Sequence, residues 1–137
     1  VGLILDSSVL IAGERRHETV KQILERVYDR HGEREIALSV VTIIELTHGI
    51  YRAKTEADRT RRTAFTEELC RNVTAHPVSL AIARVAGQTE GEQAARGISI
   101  AFEDLVIGAT ALHIGFDVVT LNVKHFQLIP GLTVVAP

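Results

Sequence analysis

Cysteine is all but missing from this chain of 137 residues, and the single Cys70 excludes an internal disulfide. No grouping of Cys and His has the spacing of a zinc site, so a structural zinc module is excluded too. Methionine is absent altogether, which carries no functional information. Neither sign of charge is in excess: 23% of residues are charged and the formal net charge is -2. No global field draws the molecule toward membranes or nucleic acid, and any polyanion-binding surface has to be local. Apolar runs are broken by charge or glycine well before the roughly 18 residues that a membrane span needs. Nothing resembling a cleaved signal peptide opens the sequence. A soluble cytoplasmic protein with no membrane partner is expected. Ser-His-Asp order, a P-loop and a GxGxxG run are all lacking, which leaves acyl transfer and dinucleotide binding without support.

What is present is a core. Hydrophobic residues make up 46% of the chain, enough for one domain over residues 1–137 and too few residues for two. Val1 to Leu5 is a continuous β-prone run and predicts a strand buried on both faces. A short helix follows, with Ser7 or Ser8 as cap and Val9, Leu10 and Ala12 as its apolar side. Val20, Ile23, Leu24 and Val27 predict a second helix over 18–29, ended by His31-Gly32.

Ile36 to Leu38 reads as a second strand, and Val40 to Ala53 as a helix with Val41, Ile44, Leu46 and Ile50 inward. Through Asn72 the chain carries Arg52, Lys54, Arg59, Arg61, Arg62 and Arg71 among Glu56, Asp58, Glu67 and Glu68. That pattern predicts a charged, solvated helical hairpin; a phosphate-positioning surface is the second reading. Val73 to Val78 holds a proline and is a weak strand candidate. Ser79 should cap a helix running toward Arg96-Gly97, and a further helix should span Glu103 to Ile114 with Gly115 as its stop. Asp117 to Leu121 is another buried strand, Asn122 to Gln127 a loop or single turn, and Thr133 to Val135 a last short strand. Such alternation predicts an α/β fold, a central parallel sheet covered by helices.

Ligands collect beyond the carboxyl ends of strands in an open parallel sheet, and Asp6 stands at such an end. An ionised group directly after an apolar strand is costly unless it is paired or binds a cation; the bland alternative is a helix N-cap. Glu45 interrupts a helix that otherwise follows a core pattern, which makes it either a partnered buried acid or an acid at the stripe's edge with its head in water. Asp104 opens a helix, where the dipole favours an acid without any function. Glu103 is its solvated neighbour. Together Asp6, Glu45 and Asp104 can converge on one sheet edge as a hard-oxygen site. Clustered carboxylates raise one another's pKa unless a cation neutralises them, and Mg²⁺ or Mn²⁺ suits such donors and phosphodiester hydrolysis. Ser8, Thr120 and Asn122 are placed to orient ligands or waters, with turn and cap roles as the alternative. His48, one turn after Glu45, is read as a surface histidine.

The run Leu3-Ile4-Leu5-Asp6-Ser7-Ser8-Val9, then Ile44-Glu45-Leu46 with Gly49, then Glu103-Asp104-Leu105-Val106-Ile107-Gly108-Ala109 and Val119-Thr120-Leu121-Asn122-Val123-Lys124-His125-Phe126, closes with Pro130-Gly131-Leu132. In order and spacing these resemble the PIN-domain ribonucleases, specifically the VapC toxins of bacterial toxin–antitoxin pairs. The resemblance implies a three-layer α/β/α sandwich and an acidic pocket in which Mg²⁺ or Mn²⁺ supports endonucleolytic RNA cleavage. It places Asp6, Glu45 and Asp104 on three acidic positions and the uncharged Asn122 on a fourth. That leaves a second metal site weakened. It also implies tRNA or ribosomal RNA as substrate, a cognate antitoxin and a homodimer. Two competing expectations are a receiver-type signalling domain, which should carry adjacent acids where Asp6 is followed by serines, and a PIN-like scaffold that binds RNA or a partner without cleaving.

Overall fold

Alternate residues of the central strands feed opposite cores, and this arranges everything else. The computed structural model describes residues 1–137. It contains β1 (Leu3–Leu5), α1 (Ser7–Arg15), α2 (Val20–His31), β2 (Ile36–Ser39), α3 (Val40–Tyr51) and α4 (Glu56–Asn72), then β3 (Thr74–His76), α5 (Leu80–Ala94), α6 (Phe102–Ile114), β4 (Asp117–Val119), α7 (Val123–Phe126) and β5 (Val134–Val135). On one face of the sheet Ile4, Ala37 and Val118 pack against Ile82 and Ala86 of α5, Leu105 to Ile107 of α6 and Phe126 of α7. On the other, Leu3, Leu5, Leu38 and Val119 meet Leu10 of α1, Ile23 and Val27 of α2, and Phe65 and Leu69 of α4. Helix α3 gives Val41 to the first core and Leu46 to the second. The result is the expected α/β/α sandwich. No helix is long and apolar enough to cross a membrane.

All strand pairs are parallel and the order is β3-β2-β1-β4-β5. From β1 the chain first builds outward through β2 and β3, then returns to the other side of β1 to add β4 and β5. The order therefore reverses between β1 and β4, whose carboxyl ends form the crevice where such sheets bind ligands. Leu5 pairs with Val119 there, and the Asp6 amide donates to the Val119 carbonyl at 2.9 Å. Asp6 and Thr120 consequently leave the sheet side by side.

Differences from the sequence reading are local. The charged stretch is one helix, α4, rather than a hairpin of its own, because Phe65, Thr66 and Leu69 give it a narrow buried stripe against α3 and the sheet. The weak strand is real: β3 takes the sheet edge beside β2, where Pro77 falls just outside the ladder. Residues 123–126 form a helical turn, one of the two forms expected for 122–127. Ile44, assigned inward from its spacing, is 66% exposed, since α3 turns Thr42 and Leu46 to the interior instead. Gly115 ends α6 in the left-handed conformation, as its position predicts.

Candidate acidic site

Asp6 occupies the N-cap position of α1, but its side chain caps nothing. Asp6 is only 2% exposed, and its Oδ2 accepts from Ser8 Oγ at 2.6 Å and from Thr120 Oγ1 at 2.8 Å. Those two hydroxyls are in turn held by the next segment: the Leu121 amide donates to Ser8 Oγ and the Asn122 amide to Thr120 Oγ1. One carboxylate oxygen is thus clamped by hydroxyls from two elements, an arrangement that an N-cap does not need. The crevice holds it in place.

Glu45 arrives from α3. Its Oε2 accepts from Ser7 Oγ at 2.9 Å, and the same hydroxyl stands 3.4 Å from Asp6 Oδ1. With one proton to give, Ser7 serves the nearer Glu45 and spaces the two acids apart. Glu45 Oε1 is buried and has no partner at all. Burial raises the Glu45 pKa; the Ser7 hydrogen bond opposes this, and the charges of Asp6, Glu103 and Asp104 add to the rise. Asp104, in the first turn of α6, is also raised, first by burial and then by Asp6, with His125 opposing and Glu103 reinforcing. His125 Nδ1 lies 4.0 Å from Asp104 Oδ2.

Asp6, Glu45 and Asp104 therefore share one electrostatic neighbourhood, as do Ser8 and Thr120. Asn122 does not join through its side chain, which is exposed and contributes no hydrogen bond; it enters through its amide. His48 is exposed on α3, as expected. Glu103 is exposed yet adds its charge to both neighbours. Two residues escaped the sequence reading. Ser7 had only a cap role, and its burial beside an uncapped helix start is visible only once α3 is placed. His125 lay inside a motif without a role, and only the fold of α7 carries it to Asp104.

The helix starts make a pattern. Thr19, Ser39, Thr55 and Ser79 cap α2, α3, α4 and α5 with side-chain hydrogen bonds; the single-turn α7 begins without one, and so do α1 and α6. Asp6 and Asp104 at these two starts are turned to the acidic ring rather than to backbone amides.

The ring is not a closed metal cage: no three His, Cys, Asp or Glu side chains are gathered tightly enough for that. Its donor chemistry nevertheless fits a hard divalent cation, which binds through one or two carboxylates and keeps several waters. All the donors are oxygens, four acids face one exposed histidine, and Glu45 Oε1 is a buried acceptor with nothing to accept from. A cation removes the repulsion that raises Glu45 and Asp104.

Known proteins resemble this chain over nearly its full length. The family model described as PIN domain matches residues 3–131. Ribonuclease VapC1 of Rickettsia felis is 33% identical over 134 residues, which is 98% of this chain and 95% of that protein. Among solved structures, VapBC2 of Rickettsia felis bound to a promoter DNA fragment superposes with a TM-score of 0.84 at 19% identity, covering 100% of this chain and 99% of that one. VapBC-5 of Mycobacterium tuberculosis, described as a member of the VapBC family of toxin-antitoxin systems, gives 0.73 at 25% identity and covers 99% and 98%.

Proposed function

Because the chain belongs to the PIN-domain family, we propose that it is a divalent-metal-dependent endoribonuclease, the toxin of a toxin–antitoxin pair, acting at the ring of Asp6, Glu45 and Asp104. The observation that carries the site assignment is the buried, unpartnered Glu45 Oε1 facing a neighbourhood with too much negative charge.

Asp6, Glu45 and Asp104 would hold Mg²⁺ or Mn²⁺. When bound, such an ion activates water and stabilises charge on the attacked phosphate. The chain's own residues supply position. Ser8 and Thr120 fix Asp6 through Oδ2, which leaves Oδ1 on the side of Glu45. Ser7 holds Glu45 by Oε2 and leaves Oε1 free. Asn122 carries no charge, so this corner offers no anionic ligand to a second ion, and three carboxylates with at least one ion are the proposed complement. RNA, of the tRNA or ribosomal class, is the substrate, and a cognate antitoxin and a homodimer are the expected partners. An RNA substrate and a lone free Cys70 both suit the cytoplasm.

Purified protein should cleave RNA with Mg²⁺ or Mn²⁺ and stop on chelation. Asp6→Asn and Asp104→Asn should each lower the rate by about 100-fold or more, the scale on which losing a charge-stabilising group acts. Circular dichroism should show both variants folded. Equal cleavage by the parent and both variants sinks the proposal.

A further inference from the structure

Beside the acidic ring, and sharing Glu45 with it, lies a cleft of about 120 Å³ between α1, α3 and α4. Its floor includes the buried Leu46 and Phe65, and its polar lining includes Glu14, Arg15, Glu45 and Arg62. The charges there divide into committed and free. Glu14 is only 7% exposed and accepts from Arg61 Nε at 2.9 Å, so its charge is neutralised within the fold. Arg61 itself is also bound to Asp58, and Arg59 lies against Glu56. None of the chain's eight ion pairs includes Arg15 or Arg62. Arg15 is exposed at the end of α1. Arg62 is half-buried and donates one nitrogen to the Gly49 carbonyl at 2.7 Å, which fixes the guanidinium while leaving its other N–H groups unclaimed. A guanidinium held in this way loses little freedom on meeting an oxyanion and presents a fork suited to phosphate.

Resting on the ribonuclease reading above, we infer that the two uncommitted arginines of this cleft, Arg15 and Arg62, are positioning residues for phosphates of the RNA segment next to the scissile bond. A metal ion in the acidic ring can serve the attacked phosphate but not its neighbours, so the flanking phosphates need cations outside the ring. Glu45 lines both places, and the cleft therefore begins where the ring ends. Of the arginines in the 52–71 stretch that the sequence presents as one solvated face, the structure singles out Arg62 and sets it beside Arg15 from a distant helix.

Phosphate contacts leave a signature that a purely structural arginine does not. Each one contributes close to one unit to the slope of log binding constant against log salt. Binding of fluorescently labelled bulk tRNA is measured across a salt series, on an Asp6→Asn background so that RNA stays intact. Arg15→Ala and Arg62→Ala should each flatten the slope by about one unit, and Arg15→Lys should restore it. In the active protein the double substitution should raise KM roughly tenfold and act mainly there. Should Arg62→Ala unfold by losing its bond to Gly49, the exposed Arg15 still decides the matter. Unchanged slopes in folded variants overturn the inference. So does an unchanged slope combined with weakened capture of a co-expressed antitoxin, which assigns the cleft to a protein. Cleavage by the parent protein with unchanged slopes leaves the ribonuclease reading standing; altered slopes without any cleavage sink that reading and keep the cleft as an RNA site.

Discussion

Glu45 has two oxygens in opposite circumstances, one fed by Ser7 and one with no donor, and its protonation should show in stability. Its pKa in the folded protein lies above the ordinary value of 4.5, so between those two values the folded state binds more protons than the unfolded one. Stability in metal-free buffer should therefore rise as pH falls through the raised value and stop gaining near the ordinary carboxyl range. Above the raised value the penalty is fully present. Glu45→Gln removes the charge, and melting curves at neutral pH and at pH 5 should show the variant less pH-dependent than the parent, and the more stable of the two at neutral pH. Identical pH dependence would contradict this. At this scale the sequence shows which acids are out of place: Asp6 after an apolar strand and Glu45 in an apolar helix announce themselves by residue type. It hides which hydroxyl serves which acid. Ser7 and Ser8 are adjacent and identical, yet Ser7 bonds Glu45 and Ser8 bonds Asp6, a division set by where α3 and β4 arrive.

Among the elements, α6 shows how packing overrules propensity. Gly108 lies in the middle of this helix, where alanine is ordinarily better by up to about 1 kcal/mol. Here a Cβ would press into the Ile129 side chain and touch Leu132, so the glycine lets the 129–132 segment seal the core beside α7. Gly108→Ala should therefore destabilise by roughly 1–3 kcal/mol in urea denaturation, opposite in sign to the propensity. Element existence was largely readable from hydrophobic period and caps: Ser79 and Gly115 do what their positions announce. The two faintest signals, α4 and β3, have one cause. Where burial is narrow, as on α4, or where an edge strand pairs on one side only, as in β3, the sequence carries too few apolar residues to register the contact. Ile44 fails for the complementary reason, since an apolar residue at helical spacing is free to face outward once α3 has two cores to choose between.

For the molecule as a whole, α/β alternation announces the parallel sheet, but strand order is not written in any single segment. Only the order β3-β2-β1-β4-β5 places Asp6 against Thr120 and makes one crevice of residues far apart in sequence. An ion bound there stabilises the folded state and not the unfolded one. Mg²⁺ at 100 times its dissociation constant should add about 2.7 kcal/mol, a shift of several degrees in melting temperature. Asp6→Asn combined with Asp104→Asn should abolish the shift, and an equal shift in that variant would place the ion elsewhere. The same topology governs when the site comes into being. Asp6 and Thr120 lie 114 residues apart, so the ring closes only after β4 has been made and has docked beside β1. A nascent chain short of β4 thus holds its acids without the crevice that brings them together.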